Sequence, residues 1–114
     1  MSKYGARRVT VDGIRFDSGM EARRYQQLQL LQRAGMIDQL EVHPRYEILP
    51  AHKHPVTGKR VRGIHYEADF RYVDIETGAP VVEDVKGHQT PVFRLKRKLV
   101  EYQHKIRIVL IEHV

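Results

Sequence analysis

The spacing of apolar and polar residues predicts several short β-strands and two helices. Apolar residues at 9–11 and 14–16 flank Asp12-Gly13, a dipeptide that favours a tight β-hairpin turn. Four further apolar segments predict strands at 36–49, 66–74, 81–86 and 106–111. The last is nearly all apolar, so we expect it to be buried on both faces. In the first, Pro44 cannot donate a ladder hydrogen bond, which predicts a sheet edge or a bulge.

The first predicted helix begins at a capping signal. Ser18 and Glu21 have capping-box spacing, and Gly35 follows the last predicted helical residue, Ala34. Its expected apolar stripe consists of Tyr25, Leu28 and Leu31.

The second predicted helix begins at Thr90, with Pro91 at the first helical position, and continues to about Gln103. Its expected inward stripe consists of Val92, Leu95, Lys96, Leu99 and Gln103. Three basic residues, Arg94, Arg97 and Lys98, are expected on the opposite side. They are candidate phosphate contacts, although a solvated face explains them equally well. Lys96 is expected to point inward, where snorkelling to the surface is its alternative.

Taken in order, these elements predict one α/β domain spanning residues 1–114. After the N-terminal hairpin the order is αβββαβ, which predicts a mixed central sheet flanked by helices. We expect residues 1–8 to be a mobile basic arm. Residues 50–63 are predicted to be a loop, since Pro and Gly interrupt them. Four basic residues lie in this loop: Lys53, Lys59, Arg60 and Arg62.

The composition of the chain narrows the classes of partner that the protein is expected to bind. Twenty Lys and Arg against fourteen Asp and Glu give a net charge of +6 and a pI near 9.8. A domain this basic usually binds a polyanion, most often nucleic acid, although a basic surface can also serve solubility alone. The absence of cysteine excludes disulfides and thiolate metal sites. No apolar segment is long enough for a membrane span, so we expect a soluble, cytoplasmic protein.

Acidic residues inside two apolar strands are the strongest candidate chemistry. Side chains alternate along a strand, so Asp84 and Lys86 share one face and Glu83 lies on the other. If the even-numbered residues from Tyr66 to Tyr72 line the core, Asp69 lies on the opposite face. Two carboxylates and the Val85 carbonyl would suit Mg²⁺, and a neighbouring lysine can polarise a water. Simple ion pairs are the alternative explanation.

Two other side chains are weaker candidates. Glu21 lies near the stripe that faces the sheet and could reach the metal, yet the capping box alone accounts for it. His88 follows Lys86 closely and is a candidate contact to the scissile phosphate. The other histidines are scattered and lack zinc-ligand spacing.

Together these motifs resemble the PD-(D/E)XK nuclease superfamily. The chain is more narrowly similar to small phage and prophage proteins of unknown function that are suspected endonucleases. Those proteins are similar to archaeal-type Holliday junction resolvases and to the nuclease subunit of heteromeric transposases. The resemblance rests on Phe16-Asp17-Ser18 with Glu21-Ala22, Tyr66-x-Ala68-Asp69-Phe70, Asp84-Val85-Lys86-Gly87 and Phe93-x-Leu95-Lys96. One departure is Ala68, which stands where the superfamily motif has proline.

The resemblance implies a restriction-endonuclease-like fold and a DNA endonuclease dependent on Mg²⁺ or Mn²⁺. It implies that Glu21, Asp69 and Asp84 ligate the metal and that Lys86 assists the attacking water. The preferred substrate is branched DNA cut by a homodimer, as in a phage junction resolvase. A nicking or end-cleaving subunit guided by a partner protein is one alternative. A non-catalytic nucleic-acid-binding module on a degenerate nuclease fold is the other.

Overall fold

A computed structural model describes residues 7–114. Residues 1–6 of the predicted basic arm lie outside this range. The described residues form two helices, α1 (Gly19–Arg33) and α2 (Pro91–His104). They also form the strands β1 (Val9–Val11), β2 (Ile14–Phe16), β3 (Ile37–Val42), β4 (Arg45–Leu49), β5 (His52–Lys53), β6 (Arg60–Val61), β7 (Ile64–Glu67), β8 (Phe70–Asp74), β9 (Pro80–Val85) and β10 (Ile108–Ile111).

The central sheet has four strands in the order β10-β9-β8-β3. Strand β10 pairs with β9 in parallel, whereas β8 is antiparallel to both β9 and β3. The sheet strands and helices therefore follow the predicted order αβββαβ, and β1 and β2 form the predicted N-terminal hairpin. The expectation that the last strand is buried on both faces was wrong: only Ile108 is buried, and the rest of β10 is half-buried because it is an edge strand.

Each face of the central sheet packs on one helix through its own apolar cluster. The α1 core contains Phe16, Ala22, Tyr25, Leu28, Ile37, Phe70, Tyr72 and Val85. The α2 core contains Tyr66, Ala68, Val82, Phe93, Val100 and Ile108. Predicted core residues of the segment 66–74 are thus all buried but divided between two cores. They are divided because the strand is interrupted before Phe70.

Two predicted strands are each broken into two. The segment 36–49 divides into β3 and β4 at His43-Pro44, and 66–74 divides into β7 and β8 at Ala68-Asp69. The breaks lie side by side: the His43 N–H donates to the Asp69 carbonyl (2.9 Å), and the Ala68 N–H donates to the Pro44 carbonyl (2.9 Å). His43 has a φ of +56°, in the left-handed region. Pro44 thus ends one ladder, and β3 is an edge strand of the central sheet.

Beyond the breaks, β4 and β7 form an antiparallel ribbon that β5 and β6 continue. The predicted loop 50–63 therefore contains a short ladder, in which His52 pairs with Val61 and Lys53 with Arg60. Its four basic residues are all exposed near the ribbon tip. No helix within residues 7–114 is long and apolar enough to span a membrane.

Helix α1 has the predicted cap and stripe. Ser18 Oγ accepts a hydrogen bond from the Glu21 N–H (3.1 Å), as a capping residue should. Tyr25 and Leu28 are buried and Leu31 is half-buried. Gly35, with a φ of +78°, follows the helix as predicted.

Helix α2 has the predicted cap, with Thr90 Oγ1 accepting from the Phe93 N–H (3.0 Å). Its predicted apolar stripe was wrong. Leu95 is 59% exposed, whereas Phe93 is 8% exposed and packs its ring against Tyr66 (centroids 6.2 Å apart). Three other apolar residues share the exposed side: Val92, Leu99 and Tyr102. The helix has two apolar faces, and the buried one carries the large aromatic ring that fills the α2 core.

Candidate metal centre

Three acidic side chains converge where the α1 N-terminus meets the central sheet. Glu21 lies in the first turn of α1, Asp69 at the break before β8, and Asp84 within β9. Glu21 and Asp84 are buried and Asp69 is half-buried. Asp69 is held by the Val85 N–H, which donates to its Oδ2 (2.6 Å). The cap at Ser18 and the strand break therefore place carboxylates from three separate elements together.

Asp84 and Lys86 lie on the same side of β9, as their spacing predicts. Lys86 Nζ is 3.2 Å from Asp84 Oδ1 and 4.8 Å from the centroid of the Phe93 ring. The Tyr66 hydroxyl donates to Asp84 Oδ2. Asp84 is only 1% exposed, and the Lys86 ammonium is the charged partner of its Oδ1. A buried carboxylate needs such a cation, because burial without one is costly.

The pKa of Asp69 indicates that negative charge outweighs positive charge around its carboxyl group. Burial, then the negative charges of Asp84 and Glu21, raise the pKa of Asp69 to about 9. The Val85 N–H and the Lys86 ammonium oppose this rise without cancelling it. Asp69 therefore retains its proton at neutral pH unless a cation replaces it. The donor set of clustered carboxylates fits a hard divalent cation such as Mg²⁺ or Mn²⁺.

Burial also determines the pKa of Tyr66, whose hydroxyl contacts Asp84. Burial first, then the Asp84 charge, raises the pKa of Tyr66 far above its ordinary value. Tyr66 thus stays a neutral hydrogen-bond donor, which satisfies one Asp84 oxygen and leaves the other toward Lys86.

An open cleft of about 790 Å³ gives access to Glu21 and Asp69, whereas the buried Asp84 is not among its lining residues. Glu21, Asp69 and Lys86 line it, together with two cationic side chains, Arg7 and Arg23. Val85 and His88 also contribute to its wall, as does the residue Ser18 that caps α1. A cleft with acids on one part of its wall and cations around them can hold a metal beside a phosphodiester.

Glu83 takes the structural role predicted for the opposite face of β9. Arg24 donates to both its oxygens, from Nε to Oε1 (2.8 Å) and from Nη2 to Oε2 (2.6 Å). The Tyr72 hydroxyl donates to Oε2 as well. Glu83 is buried in this network and does not join the carboxylates of the cleft.

The predicted DNA contacts fall in three places. His88 lines the cleft. Lys59, Arg60 and Arg62 are exposed near the ribbon tip, and Arg94 and Lys98 are exposed on α2. Two α2 residues are instead tied to backbone: Lys96 Nζ donates to the His65 carbonyl (3.1 Å), and Arg97 Nη2 donates to the Ile108 carbonyl (2.9 Å). Lys96 is not among the residues that line the cleft, and Arg97 is half-buried, so the expectation that Arg97 faces outward was wrong.

His43 is the site residue that the sequence did not indicate. Its Nε2 lies 2.8 Å from Glu21 Oε1, and its Nδ1 lies 3.8 Å from Glu67 Oε1. Donor atoms of Glu21, His43 and Asp69 all lie within 4.8 Å of one another. The other candidate ligands are distant from His43 in the sequence. The strand breaks bring His43 to them in the fold. Its only local signal is the adjacent Pro44, which interrupts the strand.

Fold and site together define a small mixed α/β protein with a carboxylate-lined cleft. Residues 1–112 match the family described as "Protein of unknown function (DUF1064)", and the chain belongs to that family. No curated protein and no solved structure matches the chain significantly.

Proposed function

We propose that this protein is a DNA endonuclease that depends on Mg²⁺ or Mn²⁺. The observation that carries the proposal is the grouping of Glu21 and Asp69 in the wall of a cleft that Lys86 also lines, with the buried Asp84 paired to Lys86, in a basic protein. The element order and these motifs resemble the PD-(D/E)XK nuclease superfamily, so we further propose a restriction-endonuclease-like fold. A pure binding protein gains nothing from buried acids that would repel phosphate.

In the proposed reaction, Glu21, Asp69 and Asp84 hold the metal, with the Val85 carbonyl as a further ligand. When bound, the cation supplies Lewis-acid stabilisation of the charge that develops on the scissile phosphate. Lys86 orients and polarises the water that attacks in line, leaving a 5′-phosphate. Asp84 fixes the Lys86 ammonium, and the Phe93 ring below it restricts where that ammonium can go.

The substrate that we propose is branched DNA, as for a phage-type Holliday junction resolvase acting in the cytoplasm. One minimal domain makes one cut, so paired nicking requires a homodimer, and a two-fold dimer suits a four-way junction. A nicking or end-cleaving subunit guided by a partner protein would use the same site on other DNA.

A cleavage panel tests the proposal. Linear duplex, single strand, flap and four-way junction substrates are each incubated with Mg²⁺, with Mn²⁺ and with EDTA. We expect metal-dependent cleavage that is fastest on the junction. Preference for duplex ends or nicks would favour the partner-guided subunit instead. If no DNA form is cut in either metal while DNA is still bound, the protein is a non-catalytic binding module.

A further inference from the structure

We propose that His43 is a nitrogen ligand of the metal in this cleft, and that the site therefore prefers Mn²⁺ to Mg²⁺. The inference rests on the proposed function only in placing a divalent cation in the cleft. It adds a ligand, from outside the strand motifs, that sets which cation binds best.

The distances fit a shared cation. Two donors bound cis to one cation at about 2.1–2.2 Å are about 3 Å apart, and trans donors are about 4.3 Å apart. His43 Nε2 and Glu21 Oε1 are 2.8 Å apart, as cis ligands would be. The chosen donors of Glu21, His43 and Asp69 lie within 4.8 Å of one another. At least one pair that includes Asp69 must be cis, so the Asp69 carboxylate would have to move by up to about 2 Å to share the ion.

The backbone of His43 has an unusual conformation and is hydrogen-bonded to that of Asp69. Its φ of +56° is unusual for a residue other than glycine, and such conformations cluster at functional sites. Its N–H donates to the carbonyl of Asp69 (2.9 Å), so two of the three ligands are joined through their main chains. The imidazole also packs beside the Phe16 ring, with centroids 5.8 Å apart.

The second ring nitrogen faces a carboxylate. Glu67 Oε1 lies 3.8 Å from His43 Nδ1, close enough to accept its proton after a small side-chain movement. Metal-binding histidines commonly donate the other ring N–H to a carboxylate, which directs the free lone pair at the metal. Here that arrangement would leave Nε2 as the ligand atom beside Glu21.

Imidazole changes the choice of cation. Mg²⁺ prefers oxygen ligands in near-ideal octahedral geometry, whereas transition-metal ions accept imidazole nitrogen readily and generally bind nitrogen sites more tightly. A site that combines carboxylates with one imidazole should thus favour Mn²⁺ more than a site of carboxylates alone. If His43 Nε2 instead donates a hydrogen bond to Glu21, the residue positions a ligand and gives no such preference.

Electron paramagnetic resonance of bound Mn²⁺ distinguishes these roles without any cleavage assay. Wild-type protein should show ¹⁴N coupling from a directly bound imidazole. His43→Asn should lose that coupling and bind Mn²⁺ about 10–100-fold more weakly, with a smaller loss for Mg²⁺ in competition. Asparagine tolerates the left-handed backbone, so this variant should fold, and His43→Ala is a second variant. His113→Gln, at an exposed histidine, is the matched control and should retain the wild-type spectrum.

Bound Mn²⁺ without ¹⁴N coupling, or coupling that survives in both His43 variants, would overturn the inference. An equal loss of Mn²⁺ and Mg²⁺ affinity would do the same, since it indicates a positioning role. The outcome is separable from that of the nuclease proposal. Coupling lost in His43→Asn, in a protein that cuts no DNA, would support the ligand and reject the nuclease. DNA cleavage by a protein whose bound Mn²⁺ shows no ¹⁴N coupling would support the nuclease and reject the ligand.

Discussion

At the scale of single residues, the site places acidic side chains where folding alone would not favour them. Asp69 is placed where burial and the charges of Asp84 and Glu21 disfavour its own charge, and the fold compensates in part with the Lys86 ammonium and the Val85 N–H. Residues chosen for stability alone would not be so arranged. Asp69 and Asp84 could be located from sequence because a charge inside an apolar strand is conspicuous, and Glu21 because of its capping-box spacing from Ser18. His43 could not, because its role depends on where two strands break.

Asp69→Asn should stabilise the metal-free protein. The pKa of Asp69 is raised from 3.8 to about 9 by folding, so between about pH 4 and pH 9 the unfolded state binds fewer protons than the folded state. Stability from this group is therefore fully present below pH 4 and is lost as the pH rises through about 9. Thermal unfolding in EDTA at pH 8 should show Asp69→Asn melting roughly 5 °C or more above wild type.

The comparison needs a second pH and a control. At pH 4 the advantage of Asp69→Asn should largely vanish, because the wild-type carboxyl is then protonated in the folded state and increasingly so in the unfolded state. Asp38→Asn, at an exposed position in β3, should shift the melting temperature little at either pH. An Asp69→Asn protein that melts below wild type at pH 8 in EDTA would contradict the raised pKa.

Asp84→Asn should separate cleavage from DNA binding. The amide cannot replace the carboxylate as a ligand or hold the Lys86 ammonium as an ion pair, so metal-dependent cleavage should fall at least ~100-fold. DNA affinity should be unchanged or tighter, because one negative charge beside the phosphate is removed. Cleavage rate and fluorescence-anisotropy binding are measured on the same substrate, with Asp38→Asn as the matched control. Unimpaired cleavage would remove Asp84 from the catalytic set.

At the scale of elements, local signals were sufficient for helix starts and for the N-terminal hairpin, but not for helix orientation. The caps at Ser18 and Thr90 depend on a few neighbouring residues, and both form as the sequence predicts. The buried face of α2 depends on partners distant in sequence. Helical spacing alone favours Leu95 and its neighbours, whereas the ring of Phe93 fits against Tyr66 and Lys86.

Stability measurements on α2 variants should reveal the buried face. Phe93→Ala should cost about 3–5 kcal/mol of unfolding free energy, because it empties part of the α2 core. Leu95→Ala should cost less than about 1 kcal/mol, since that side chain is 59% exposed. Urea unfolding of the two variants provides the comparison. Equal costs would mean that α2 is rotated from the described orientation.

At the scale of the whole molecule, the ribbon makes the protein elongated. The radius of gyration is 16.2 Å and the extents are 54 × 38 × 25 Å. A compact domain of this length would have a radius of gyration of roughly 13 Å. The sequence predicted a basic loop here, but the ladder between β5 and β6 is made by backbone groups and involves only two residues on each strand, too few for a recognisable pattern.

The basic ribbon tip should contribute to DNA affinity independently of the cleft. A triple variant, Lys59→Ala/Arg60→Ala/Arg62→Ala, should weaken binding and reduce the magnitude of the salt dependence, d log K/d log[salt], by up to about 2.7 if each residue meets one duplex phosphate. Thermal stability should be preserved, since all three side chains are exposed. Arg33→Ala, in the last turn of α1, is the control and should leave the slope unchanged. An unchanged slope in the triple variant would exclude the ribbon from the DNA interface.

The adjoining strand breaks have a mechanical consequence. The chain passes from the central sheet to the ribbon at His43-Pro44 and returns at Ala68-Asp69, and two hydrogen bonds join these crossings. The ribbon therefore joins the central sheet at a point that contains two of the three grouped donor residues, His43 and Asp69. Any tilt of the ribbon displaces the His43 and Asp69 donor atoms relative to Glu21, which is anchored in α1. We therefore expect the orientation of the ribbon and the spacing of these donor atoms to change together.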